Sequence, residues 1–256
     1  MIHTLTHIPV RGLVVKGYVF KKKKAEPIIY IEMLIVCGPS KHIFIKKNQA
    51  EYVDFLQKKT PVVIASGPAG TGKTMFACKY AIESLVGRKY DKLIITRPTV
   101  PVGEEMGFLP GDIDDKMKPW MIPIYDQLEH FSNRSLLGKY FKENTIEIVP
   151  FAYIRGRTFD NTLIIADEMQ NSTHHQMYTF LTRIGQNSKA ILTGDLNQCD
   201  IPNASNENGL NQLLDLYHNC DNIDNDFIKH IEFDDDDVHR SEIVKYILDM
   251  YSCLYN

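Results

Sequence analysis

The eight residues GPAGTGKT at 67–74 place glycines, a lysine and a threonine in the order G-x-x-x-x-G-K-[ST]. Glycine reaches backbone conformations that other residues avoid, so successive N–H groups can turn inward and surround an anion. A helix opening at Lys73 would add the partial positive charge of its N-terminus. Lys73 supplies a long cation that reaches phosphate, and Thr74 supplies a hydroxyl suited to a hard divalent metal. The pattern therefore predicts a phosphate cradle built from Gly67, Pro68, Ala69, Gly70, Thr71 and Gly72, continued by Lys73, Thr74 and Met75.

A phosphate cradle with a metal needs a carboxylate opposite it. TLIIADE at 162–168 delivers Asp167 and Glu168 at the end of an apolar run. Strand side chains alternate between faces, so the two acids need not compete for one position. Asp167 is expected to hold Mg²⁺ and Glu168 to polarise an attacking water. TGDLNQ at 193–198 ends a later apolar run. There Gln198 is placed to sense a terminal phosphate, and Asp195 to help orient the water.

These motifs need elements that position them. Apolar strands are expected at 61–66, 92–97, 146–151, 162–167, 189–194 and 227–233. Helices are expected at 50–57, from 73 to 85 with Gly87 as its stop, at 119–131, at 173–185, near 207–217 and at 241–254. Thr173 and Gln176 read as a capping box, and Gly185 as a C-terminal cap. Residues 98–118 are rich in Pro, Gly and acids and read as a loop. Short continuous apolar strands alternating with helices predict a buried, mainly parallel sheet in an α/β fold. Residues 1–46 are instead β-rich, with GLVVKGYVF and IIYIEMLIV flanking Lys21-Lys22-Lys23-Lys24. Two units are expected: a small β-rich N-terminal segment over 1–46 and the phosphate-binding domain over 47–256.

The chain has 256 residues, 44% hydrophobic and 24% charged, which suits a globular α/β protein. Its net charge of −3 gives no bulk attraction to nucleic acid, though a local basic groove would suffice. The lysine run reads first as a solvated hairpin tip and second as such a patch. Cysteines at 37, 78, 199, 220 and 253 show no metal-ligand spacing, and no secretory pattern is visible. A reduced, cytoplasmic protein is expected. The apolar run from Ile28 to Val36 falls far short of the roughly 20 residues of a membrane span.

Taken in order, GPAGTGKT, ADEMQN and TGDLNQCD resemble the PhoH family of phosphate-starvation-inducible P-loop ATPases, related to the first domain of superfamily-one helicases. NQAEYV (48–53), ITRPTVPVGEEMGFLPGD (95–112), IRGRTF (154–159) and DVHRSEIV (237–244) extend the resemblance over about 46–254. The resemblance implies a three-layer RecA/helicase-like P-loop NTPase fold. It implies ATP and Mg²⁺ as cofactors, action on RNA or single-stranded DNA, and assembly as a hexameric ring. Gln49 sits where the family reads adenine, and Arg240 where it has a finger-like arginine. The acidic run Asp234–Asp237 just before Arg240 departs from the family pattern.

Arg97, Arg155 and Arg157 are further candidates for contact with phosphate, nucleic acid or a neighbouring subunit. Phe108, Trp120 and Tyr125 are candidates for base stacking or for packing. The leading expectation is a Mg²⁺-dependent ATPase coupled to nucleic acid. A P-loop small-molecule kinase and a non-hydrolysing nucleotide-controlled scaffold are the alternatives. Glu168 beside Asp167, with Gln198 downstream, argues against the kinase.

Overall fold

A computed structural model describes residues 46–98, 113–201, 208–220 and 226–238, together with short N-terminal strands and scattered helical positions after 242. The lysine run, Phe108, Arg240, the side chain of Trp120 and the expected helix at 241–254 lie outside the described residues.

The N-terminal strands are β1 (His3–Leu5), β2 (Pro9–Val10), β3 (Leu13–Val14), β4 (Gly17–Phe20), β5 (Ile28–Met33) and β6 (Lys41–Ile45). β1, β4, β5 and β6 form an antiparallel sheet in that order, and β2 pairs with β3. The expected β-rich character of this segment is present in its backbone.

The core sheet comprises β7 (Val62–Ser66), β8 (Lys92–Thr96), β9 (Ile146–Ile148), β10 (Thr162–Ala166), β11 (Lys189–Gly194) and β12 (Ile228–Glu232). Its order is β12-β7-β11-β10-β8-β9, with every pairing parallel. Strand alternation divides the core into two faces. Val63, Ala65, Leu93, Ile95, Leu163 and Ile165 face one cluster. That cluster includes side chains from α1 (Lys47–Gln57), α2 (Lys73–Val86), α3 (Ile113–Phe131) and α4 (Arg134–Lys142). Val62, Ile64, Ile94, Ile164, Ala190 and Leu192 face the other, with α5 (His174–Leu181) and α6 (Gly209–Asn219). Burying each large side chain contributes about 1.5–3 kcal/mol, which explains why these strands are apolar on both faces. The result is the expected α/β architecture, with a mainly parallel sheet between two helical layers.

Four boundaries differ from the sequence expectation. α3 begins at Ile113, inside the stretch read as loop, and carries Pro119 and Pro123 within it. Buried Met121, Ile124, Leu128 and Phe131 form a helical stripe that outweighs the two lost backbone bonds. β9 stops at Ile148 because Pro150 has no N–H with which to continue the ladder. α6 is displaced toward 219, starting after Asn208, whose side chain accepts the Asn211 N–H. α5 ends at Leu181, so Gly185 is not its cap. Gly185 instead donates to the Phe159 carbonyl at 2.8 Å, and a Cβ there would strike Asp160 and Phe159. The capping box at Thr173 and Gln176 is formed.

A buried lysine and a half-buried histidine tie the layers together. Lys189, at the start of β11, donates to the carbonyls of Phe55, Leu56 and Lys58 and so caps the end of α1. Burial, aided by the charge of Lys89, pulls its pKa down to about 7. Lys189→Met would leave those three carbonyls without their donor. We expect a loss of about 2–4 kcal/mol in urea unfolding, with the P-loop end of the sheet unchanged in its backbone amide shifts. His230 on β12 pairs with the Ser66 hydroxyl at 2.8 Å and contacts the rings of Tyr217 and His218. Burial first, and His218 second, depress its pKa from 6.5 to about 4. The folded state thus binds fewer protons than the unfolded state between those values, and stability falls as pH drops through that window. Melting temperature should decline from pH 6.5 to 4, and His230→Asn should flatten part of that slope; an unchanged slope would assign the decline to other groups.

Candidate functional site

The loop 67–72 leaves β7 and turns into α2. Gly67 has φ +125° and lies so close to the Phe233 carbonyl that a Cβ would collide with it. Its N–H donates to the Gly194 carbonyl at 3.2 Å, joining the loop to the end of β11. Gly72, with φ +91°, forms the cap of α2, where a Cβ would press on the Phe76 ring. Lys73 Nζ donates back to the carbonyls of Gly67 at 2.6 Å and Pro68 at 2.8 Å. Burial lowers its pKa, while Asp195, Glu168 and Asp167 pull the other way. The ammonium is thus held inside the loop by carbonyls that an arriving phosphate can replace.

Thr74 Oγ1 donates to Asp167 Oδ1 at 2.8 Å. Thr193 on β11 donates to the same oxygen. Asp167 is 6% exposed, and its N–H extends the ladder to Thr96. A buried carboxylate and a hydroxyl set this close are hard oxygen ligands of the kind a divalent cation takes, with water and phosphate completing its shell. Thr74 and Asp167 are therefore the residues that fit a metal here.

Glu168 departs from the expected mechanism of separation. β10 ends at Ala166, and Glu168 takes a left-handed backbone, φ 55° and ψ 41°. Its direction comes from this turn and not from the strand pleat. Such a conformation costs a non-glycine residue on the order of 1 kcal/mol and persists where the surroundings enforce it. The surroundings here are Gln170 and Arg97. Gln170 Nε2 donates to Glu168 Oε2 at 2.6 Å, and Arg97 lies 3.6 Å from Oε1.

Gln170 is the residue that motif reasoning left without a role. It is 1% exposed. Its Nε2 also reaches the Gln198 carbonyl at 3.3 Å, and its Oε1 accepts the Asp195 N–H at 3.0 Å. Gln198 Nε2 in turn donates to Asp195 Oδ2 at 2.9 Å. Asn171 exchanges hydrogen bonds with Asp200, closing a second link between the two chain segments. The order D-E-x-Q-N before D-x-x-Q was the available signal, but it names no partner.

The cleft between these groups has a volume of about 620 Å³. Gln49, Lys73, Thr74, Asp167, Glu168 and Gln198 all line it. Arg97 also lines it, which places this arginine beside the phosphate loop. Pro123 and Gln127 of α3 contribute a wall that no motif indicated. Gln49 is held on three sides, accepting from Lys46 N and donating to the carbonyls of Thr71 and Asp237. It couples α1, the phosphate loop and the acidic 234–237 turn, where Asp237 also accepts from Asn48 at 2.7 Å. Arg157 is engaged elsewhere: it pairs with Glu147 at 2.8 Å and covers the Phe159 ring. Arg155 is exposed and outside the cleft. Tyr125 packs on Phe141, with ring centroids 5.0 Å apart.

A glycine loop running from a parallel strand into a helix, opposed by an acid on a strand beyond its neighbour, defines a P-loop nucleotide-binding protein of the NTPase class. The comparisons narrow the class. The family model described as PhoH-like protein matches residues 44–252, and the chain belongs to the PhoH family. It is 40% identical over 206 residues to a PhoH-like protein of Mycobacterium bovis, covering 80% of this chain and 56% of that one. It is 39% identical over 224 residues to a PhoH-like protein of Bacillus subtilis, covering 87% and 68%. Protein PhoH of Escherichia coli is 37% identical over 210 residues, covering 80% and 57%. The chain spans a little over half the length of several curated relatives it matches. Among solved structures, the Pif1 helicase of Candida albicans aligns at 14% identity and a TM-score of 0.41, covering 81% of this chain and 43% of that one. Among the described residues, no helix is long and apolar enough to cross a membrane.

Gln170→Leu keeps the volume but removes both bonding ends. Loss of the buried acceptor of the Asp195 N–H should destabilise the fold by about 1–3 kcal/mol. Hydrogen exchange at the Asp195 amide should accelerate more than at Ile191, in mid-strand; equal change at both would show a merely global effect.

Proposed function

We propose that this protein binds ATP with Mg²⁺ and hydrolyses it, and that hydrolysis is coupled to RNA or single-stranded DNA. The observation that carries the ATPase reading is the adjacent use of two acids. Asp167 is buried against Thr74, while Glu168 is turned out of the sheet and steered by Gln170 and Arg97. Glu168 beside Asp167, with Gln198 downstream, favours attack by water over transfer to a small-molecule acceptor.

In this reading the backbone of 67–72 cradles the β and γ phosphates, and Lys73 leaves its loop carbonyls to neutralise them. Asp167 and Thr74 would hold a Mg²⁺ ion, which would supply positive charge to offset that of the phosphates. Glu168 accepts a proton from, or orients, the attacking water, and Gln198 reads the γ phosphate. Gln49 lines the adenine end of the cleft. Arg97 and Arg240 are proposed as cations for the phosphates, Arg240 by its family position. A further cation from an adjacent subunit completes the site, so the proposed active form is an oligomer, in the family's manner a hexameric ring in the cytoplasm. Residues 1–46 are proposed as a separate β-rich unit beside the ATPase domain 47–256.

Phosphate release from the full chain, with and without RNA or single-stranded DNA, tests this. Glu168→Gln should retain ATP binding and lose about 10²–10⁴-fold in turnover. Unaltered turnover in that variant would remove Glu168 as the group acting on water. The rate per chain should rise with protein concentration through the assembly range; a constant rate in a monomeric preparation would remove the neighbouring subunit from the mechanism.

A further inference from the structure

A second depression, of about 320 Å³, lies on the outer side of α5, lined by Arg155, Gly156, His175, Tyr178, Thr179, Thr182 and Arg183. None of these residues takes part in the nucleotide cleft. His175, Tyr178, Thr179 and Thr182 recur at helical spacing and form one stripe along α5. Across from them, Gly156, with φ +84°, turns the chain so that Arg155 stands at the edge.

The charge of this lining is one-sided. It holds two guanidinium groups and an imidazole, and no acidic residue among those described. Two other arginines find carboxylates, Arg134 with Glu129 and the half-buried Arg157 with Glu147. Arg155 has no such partner among the described residues. Arg183 Nε is buried yet donates to nothing among them, while its Nη2 donates to Thr182 Oγ1 at 3.2 Å. A buried donor left open, in the same depression as a guanidinium with no carboxylate partner among the described residues, is the local chemistry of an anion site. One aromatic ring, Tyr178, lines it. Tyr178 is 70% exposed. An exposed ring beside two guanidinium groups suits an unstacked base, since every base has a π face.

We infer that the Arg155–Arg183 depression binds the phosphodiester backbone of a single-stranded nucleic acid, with Tyr178 stacking a base at its rim. This inference rests on the proposed coupling to nucleic acid and gives that coupling a place on the α5 face. Arg183 and Arg155 fix phosphate positions, and the threonine hydroxyls offer secondary contacts. The contacts proposed are to phosphate and to a ring face, which carry little sequence information.

Fluorescence anisotropy with a labelled 20-nucleotide RNA and the DNA of the same sequence tests it on the full chain. Arg155→Glu should weaken binding about tenfold or more and lower the salt slope by about one or two phosphates. Tyr178→Ala should weaken binding about five- to tenfold with the salt slope unchanged. Both variants should melt as the parent does and keep its phosphate release in the absence of nucleic acid. Parent-level affinity in both variants would overturn this site while leaving the coupling itself intact. A parent chain that binds neither oligonucleotide would remove the coupling and this site together. Loss of self-association in Arg155→Glu, seen by sedimentation, with oligonucleotide affinity retained, would assign the depression to a subunit contact and overturn the nucleic-acid site.

Discussion

The two hydroxyls converging on one oxygen of Asp167 are the constraint from which the rest of the site follows. Thr74 comes from the first turn of α2, Asp167 from the end of β10 and Thr193 from β11 between them. A carboxylate buried this deeply is costly unless its lone pairs are satisfied. Its partners must therefore arrive in register, and only a parallel sheet brings these chain ends to the same edge. The order β7-β11-β10 does that, with the Gly67 N–H bonded to the Gly194 carbonyl to keep the phosphate loop aligned on β11. The two apolar faces then have a function beyond stability. They hold three strand ends at fixed height, and the polar groups at those ends inherit the precision.

Much of this was legible because it repeats along the chain. GPAGTGKT declared a strand-to-helix turn, and the structure places β7 and α2 on either side of it. TLIIA and KAILTG were apolar without alternation, the mark of strands covered on both faces, and all eleven residues are buried. What was illegible depended on partners distant in sequence. The stretch before 119 read as loop because of its Pro, Gly and acids, yet the helix already begins at Ile113, and its buried stripe from Met121 to Phe131 outweighs the local cost of Pro119 and Pro123. Gly185 read as a cap, since a glycine after a helix usually is one. Its small size instead serves the approach of Phe159 and Asp160 from another segment. Gln127 gives no local signal at all: it reaches the cleft only because α3 packs across α2.

Asp167 and Glu168 show the same division between local and distant information. Their adjacency is visible in the sequence, and so is the need to send them in different directions. The pleat of β10 was the expected means. The actual means is a left-handed turn at Glu168, whose strain is offset by a hydrogen bond from Gln170 and the nearby charge of Arg97. A strained residue held by a buried amide is more narrowly positioned than one on a free strand end, because leaving the geometry sacrifices several bonds at once.

Gln170 has one amide and three polar neighbours: the carboxylate of Glu168, the backbone N–H of Asp195 and the carbonyl of Gln198. Its Nε2 hydrogens serve both Glu168 and Gln198, so a displacement of the 195–198 turn alters the donor geometry at Glu168. Gly194 reinforces this, since any Cβ there would meet Leu210 and the Gln170 side chain. The turn can therefore shift only in concert with Gln170. Two groups that follow different strands, the Glu168 carboxylate and the cleft-lining amide of Gln198, are thus mechanically one unit. In such an arrangement the geometry at Glu168 depends on what occupies the space before Gln198, which is the property a nucleotide site needs if it is to distinguish a full cleft from an empty one.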